Sequence, residues 1–253
     1  DVYKRQDIPG WTAALHGPLA HGLALGAHLA VTNGLIWNRL GAAYEEYAGD
    51  RDRLRDPWGI QHRAAYRDRL TLLMERRFVR RVQESALHVR HTLTVRLGRT
   101  PTRKEWAEAA ARMFPVPGAQ DLGADAAAVK GIEDLVRRIM RYEARFRADG
   151  LLAPDGRVRT TVAYDYGRAV NLARWGLSAR YCAPADAEQT IVYAGALGKS
   201  AHRSWEEFSA GYALGRVLRF DEEEYGPFYE ESAIAHRLLT ESEGSPWRHI
   251  PWR

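Results

Sequence analysis

The chain has 253 residues, 45% of them apolar and 10% aromatic, enough to build a core, so global disorder is excluded. Its net charge of +5 rests on 33 Arg against 4 Lys, and its one cysteine, Cys182, excludes an internal disulfide framework and a four-thiolate zinc site. An uninterrupted apolar run of roughly 18 residues, long enough for a membrane span, does not occur, and a soluble, cytoplasmic protein is expected.

The first six residues, Asp1 to Gln6, read DVYKRQ and resemble the translation of a transposase adapter end used in preparing sequencing libraries. Residues 1–6 are therefore expected to be a non-native tail, so a lost N-terminal signal is not excluded. Residues 7–253 are expected to form one helical domain: N-terminal helices over 7–98, a variable helical insert over 99–150, and a signature region over 151–253. Leu19 to Val31 is rich in Ala and Leu and reads as one helix, stopped by Asn33-Gly34. His16, His21 and His28 are spaced by five and seven, which suits core or interface histidines better than a ligand set. Leu35 to Tyr47 and Gln61 to Leu97 follow as helical patterns, with the charged run 49–60 between them.

Residues 51–112 carry 16 basic and 7 acidic side chains, and RRFVRR at 76–81 is the densest basic run. No helix-turn-helix, zinc-finger or RNA-binding signature accompanies it, and the excess of Arg over Lys suits GC-biased coding, so nucleic acid is not an expected partner. Residues 200–253 reverse the balance, with 6 basic and 10 acidic residues, and could pack on that basic middle. Glu84, His88 and His91 share a helical face at i, i+4 and i+7, but Arg80, Arg81 and Arg90 crowd it, so no metal is expected. Thr102 and Glu105 form a capping box opening a short helix that ends before Pro115. Val129 to Arg147 is an amphipathic helix, and Asp155-Gly156 could turn one small hairpin. The fold class expected is all-α, with seven to ten helices.

Three blocks carry the most information: AYDYGRAVNLARWG at 163–176, SWEEFSAGYALGR at 204–216 and SPWRHIPW at 245–252. Their order and residues resemble a bacterial family known as domain of unknown function 1266, in which an Asp-x-x-Arg-x-x-Asn-x-x-Arg helix precedes a Ser-Trp-Glu-Glu-Phe helix and a Ser-Pro-Trp tail. LALGAHLAVTNG (23–34) and DPWGI (56–60) look similar too, while 61–150 matches only loosely. The resemblance implies a fold and no agreed reaction.

On a helical wheel, Val162, Tyr166, Ala169, Val170, Ala173 and Leu177 make one apolar face, and Tyr164, Leu172 and Trp175 a second. A helix apolar on two sides is central, so Arg168 and Asn171 are expected to be buried and to need partners, Asp165 being the nearest. Ser204 and Glu207 make a second capping box, and beyond it Trp205, Phe208, Tyr212 and Gly215 form a core stripe. Gly211 and Gly215 are expected to admit a close neighbour. The tail, with Trp247 and Trp252 each after a proline, is expected to fold over a core, a ligand-covering flap being the alternative. No Gly-rich phosphate loop, Gly-x-Ser-x-Gly elbow or His-Glu-x-x-His helix is present, and no cofactor is expected.

Two functions from different classes remain. One is a non-enzymatic interaction or regulatory module whose buried Asp/Arg/Asn network is structural. The other is an enzyme or binding protein for a small anionic ligand held by Asp165, Arg168, Asn171 and Arg174, with Trp205, Glu206, Tyr212, Arg216, Trp247 and Trp252 as further candidates.

Overall fold

A computed structural model of the chain describes residues 16–40, 47–76, 81–113 and 122–253, with side chains in the last stretch from Val129 onward. The tail 1–6, most of the 76–81 basic run and Pro115 lie outside the described residues. Those described form twelve helical segments and no strand: α1 Gly17–Leu25, α2 Ala27–Thr32, α3 Tyr47–Arg55, α4 Arg63–Met74, α5 Arg81–Leu97, α6 Arg103–Arg112, α7 Leu122–Ala148, α8 Ala163–Ser178, α9 Pro184–Ala201, α10 Trp205–Phe220, α11 Pro227–Glu241 and α12 Pro246–His249.

The helix α8 organises the fold, packing on α1, α2, α3, α4, α9 and α10. All sixteen of its residues except Leu177 are buried, so both apolar faces read from the sequence find neighbours. Tyr166, Val170 and Ala173 join Leu23, Leu25, Ile191, Phe208 and the tail tryptophans in one apolar cluster. Leu172 and Trp175 join Leu54, Ile60, Tyr66 and Leu73 in a second. The wheel misassigned two residues: Ala169 packs with the second cluster and Tyr164 with the first. A third cluster unites α5, α6, α7, α10 and α11 around Trp106, Ile139, Phe146 and Val217.

On α10, Trp205, Phe208 and Tyr212 face the first cluster, whereas Leu214, Val217 and Leu218 face the third. This helix therefore joins the N-terminal helices to the 99–150 segment. The glycines on it do what the sequence suggested. A Cβ at Gly211 would lie 2.5 Å from the Thr160 carbonyl oxygen, and one at Gly215 would lie 2.7 Å from the Tyr164 Cβ.

Four local expectations are corrected. Leu19–Val31 is broken at Gly26, where the neighbouring α8 side chains Val170 and Asn171 press so close that a Cβ would sit 2.6 Å and 2.9 Å from them. Residues 35–40 are irregular rather than helical, because the Ile36 and Arg39 carbonyls accept from Arg174 instead of from a following helical turn. The charged run 49–60 contains the end of α3, a helix anchored by the buried Leu54 and edged by Asp50–Arg53 and Asp52–Arg55 ion pairs. At Asp155-Gly156 the chain turns, with the Gly156 N–H bonded to the Ala153 carbonyl at 2.8 Å, but residues 158–160 pair with carboxylates rather than with a second strand.

Candidate functional site

The N-terminus of α8 lacks a capping side chain of its own. Glu84 on α5 supplies one from across the fold: its carboxylate accepts from the Thr161 N–H and from the Thr160 and Thr161 hydroxyls, each at 2.6 Å. Anionic oxygens at a helix N-terminus are favoured by the helix dipole. Glu84 is thus committed to capping, and no His/Cys/Asp/Glu group able to hold a metal is found among the described residues.

One turn into α8, the four polar candidates come together. Asp165 and Asn171 are fully buried, Arg168 and Arg174 nearly so. Arg168 donates from Nη2 to Asp165 Oδ1 at 2.7 Å and from Nε to the Tyr164 carbonyl at 3.1 Å. Its guanidinium stacks on the Tyr164 ring, 3.9 Å from the centroid, with Trp58 at 5.5 Å. Asn171 donates from Nδ2 to the carbonyls of Gly26 (2.8 Å) and Gly167 (2.9 Å), and its Oδ1 accepts from Arg174 Nη1 at 3.1 Å. Arg174 then reaches the Arg39 carbonyl at 2.6 Å and that of Ile36. Each of these seven bonds ends on another member or on a main-chain carbonyl. The i, i+3 spacing places these groups along one side of the helix, and the irregular 35–40 segment supplies the carbonyls an ordinary helix would withhold.

Trp205, Trp247 and Trp252 also converge, but elsewhere. The Trp205 and Trp247 rings stack at 5.2 Å and 7°, and Trp252 meets Trp205 edge-on at 4.7 Å. All three indole N–H groups donate to carbonyls: Trp205 to Ile250 (2.8 Å), Trp247 to Ala24 (2.9 Å) and Trp252 to His202 (3.1 Å). The tail is core, as its satisfied N–H groups require. Ser204 caps α10 through the Glu207 N–H at 3.2 Å, while the Glu207 carboxylate takes the Arg203 N–H rather than that of Ser204. Glu206 is exposed and lines a separate cavity of about 710 Å³ beside His91, Arg157 and Arg203. It belongs to no common site with Asp165 or Arg168. Tyr212 stacks on His28 at 4.1 Å, Arg216 pairs with Glu231, and both line a cavity that also reaches Arg168.

Two buried polar groups escaped sequence reading. Arg90 and Glu143 form a two-pronged ion pair at 2.7 and 2.8 Å, and the Val158 N–H donates to Glu143 at 2.8 Å. Tyr142 donates its hydroxyl to the Asp221 carboxylate. Of the three histidines whose spacing suggested core or interface positions, His21 and His28 are buried, whereas His16 is exposed. Burial holds His28 well below its ordinary pKa and brings His202 and His236 down to about 4. Burial likewise pushes the Cys182 thiol up, which suits an unreactive side chain.

No curated protein and no solved structure matches the chain. A family model does, and it includes the three blocks, DPWGI and the loosely resembling 61–150 stretch, while leaving 23–34 outside. It is the model described as Protein of unknown function (DUF1266), it matches residues 53–252, and the chain belongs to that family.

Proposed function

We propose that the chain is a non-enzymatic interaction or regulatory module of the bacterial cytoplasm, in which the Asp165–Arg168–Asn171–Arg174 network fixes the packing of α8 and carries no chemistry. One observation supports this above all: seven hydrogen bonds of the four side chains run to each other and to the carbonyls of Tyr164, Gly167, Gly26, Ile36 and Arg39. Residues arranged for catalysis present a charged or nucleophilic atom to a substrate within hydrogen-bond reach. Here the polar atoms instead join the first helices to the central one. Consistent with a protein outside the membrane, no helix among the described residues is long and apolar enough to cross one.

The test is the stability of network variants without ligand. Asn171→Ala removes the acceptor of Arg174 and two donated bonds, and we expect a cost of about 1–3 kcal/mol. An Asn171→Ala chain as stable as the parent overturns the proposal. The second reading, a binding protein for a small anion, is favoured by the cavity reached by Arg168 and Arg216.

A further inference from the structure

We infer that the cavity bounded by α3, α4, α8, α10 and α11 is a binding site for a nucleoside phosphate. Its volume is about 490 Å³, within the range of small-molecule sites. Five guanidiniums line it: Arg53, Arg69, Arg168, Arg216 and Arg219, drawn from four helices. Among the described residues no carboxylate lines it. Asp50, Asp165 and Glu231 pair with Arg53, Arg168 and Arg216 from outside the lining. The wall is therefore cationic, with its counter-charges set behind it.

Two further features point to an occupant. Tyr164 and Tyr212, residues only 6% and 1% exposed, line the cavity, with their rings edge to face at 5.1 Å. Arg216 Nη1 is buried and has no hydrogen-bond partner among the described residues. A buried donor without a partner is costly, and an anionic oxygen within reach would satisfy it. Phe220 and Phe228, which stack at 5.1 Å, remain 45% and 40% exposed beside the cavity, although α10 and α11 bury other apolar residues well. Trp58 and Trp175 add an edge-to-face pair to the lining.

The chemistry that fits both halves is a flat ring joined to several negative oxygens. Guanidinium forks match phosphate geometry, and five of them exceed what one carboxylate can use. Aromatic faces stack on nucleobases with little regard for sequence. In the absence of a Gly-rich loop, recognition falls to side chains rather than to main-chain N–H groups. The site goes beyond the proposed function: Asp165 holds Arg168 from within, and a ligand would meet its cavity side.

Calorimetric titration of the full chain tests this. ATP is the first probe, GTP, CTP and UTP follow, and adenosine and tripolyphosphate represent the two halves. At least one nucleotide is expected to bind with a Kd near the micromolar range, about 10-fold or more tighter than either half. Arg69→Gln with Arg219→Gln is expected to weaken binding about 10-fold or more, while Arg157→Gln in the separate 710 Å³ cavity leaves it unchanged. If the double variant fails to fold, Arg219→Glu at an exposed position carries the same expectation. Absence of binding by all four nucleotides up to about 1 mM overturns the inference. So does affinity unaltered by the α4 and α10 substitutions, or tripolyphosphate binding as tightly as ATP. These failures leave the network proposal standing, because that rests on stability without ligand. Hydrolysis of a bound nucleotide would instead refute the non-enzymatic reading and keep the site.

Discussion

Trp252→Ala separates a sealed core from a mobile flap. Trp252 is 8% exposed and contacts Trp205, Phe208, His21 and His202. A buried tryptophan removes roughly 150–250 Å² from water, worth about 4–6 kcal/mol at about 25 cal/mol per Å². Truncation series for large aromatics give about 3–5 kcal/mol once partial relaxation is included. The His202 carbonyl loses the indole N–H at 3.1 Å, about 1 kcal/mol of that range. We therefore expect a loss of about 4 kcal/mol, read as a lower urea midpoint with an unchanged slope. At about 2–4 °C per kcal/mol, the melting temperature should fall by about 8–16 °C. A flap that opens to admit a ligand would contribute little to unfolding. A midpoint within about 0.5 kcal/mol of the parent refutes the sealed-core account.

Gly211→Ala should destabilise by about 2 kcal/mol or more, because its Cβ meets the Thr160 carbonyl oxygen at 2.5 Å, whereas Gly131→Ala on α7, with nothing within 4 Å, should stabilise by about 0.5–1 kcal/mol; thermal melts of the pair check both. His202 and His236 have folded-state pKa values of about 4 against an unfolded 6.5, so the unfolded chain binds more protons between these values. Their contribution to stability is complete above pH 6.5 and should be lost as pH falls toward 4. Urea midpoints from pH 7 to 5 should show this loss, and a flat profile would contradict it. Glu143→Ala should cost about 3–5 kcal/mol by leaving the buried Arg90 without its carboxylate, and equilibrium unfolding near the parental midpoint would count against that pair.

What could be read from the sequence was local in character. The Thr102–Glu105 capping box forms as its spacing dictates, with the Glu105 N–H on the Thr102 hydroxyl and the Glu105 carboxylate on the Thr102 N–H. Asp165 and Arg168 lie three residues apart on one helix, so their pairing needed no knowledge of the rest of the chain. The Gly211–Gly215 stripe announced a close approach but not its partner, the α8 entry at Thr160–Tyr164. Contacts between distant segments carried no such signal. Glu84 meets Thr161 across 77 positions and Arg90 meets Glu143 across 53, while the sequence showed only a helical face shared by Glu84, His88 and His91 and crowded by Arg90. The helix over 47–55 was obscured because its charged residues outnumber the one buried leucine that orients it. The arginine cavity draws on positions 53, 69, 168, 216 and 219, which only the packing of α3, α4 and α10 around α8 brings together.

The central claim is that Arg168 serves packing through Asp165, and a double-mutant cycle between the two measures it most directly. Arg168→Ala removes the guanidinium held 2.7 Å from a fully buried carboxylate and should cost about 3–5 kcal/mol. Asp165→Asn, made alone and combined with Arg168→Ala, removes the buried charge as well and should recover part of that loss in the double variant, so the effects should be non-additive by about 1 kcal/mol or more. The decisive quantity is the urea-unfolding free energy of the four chains without ligand. An Arg168→Ala chain as stable as the parent or more so, or strictly additive effects, would contradict the claim and make Arg168 a ligand-binding group first.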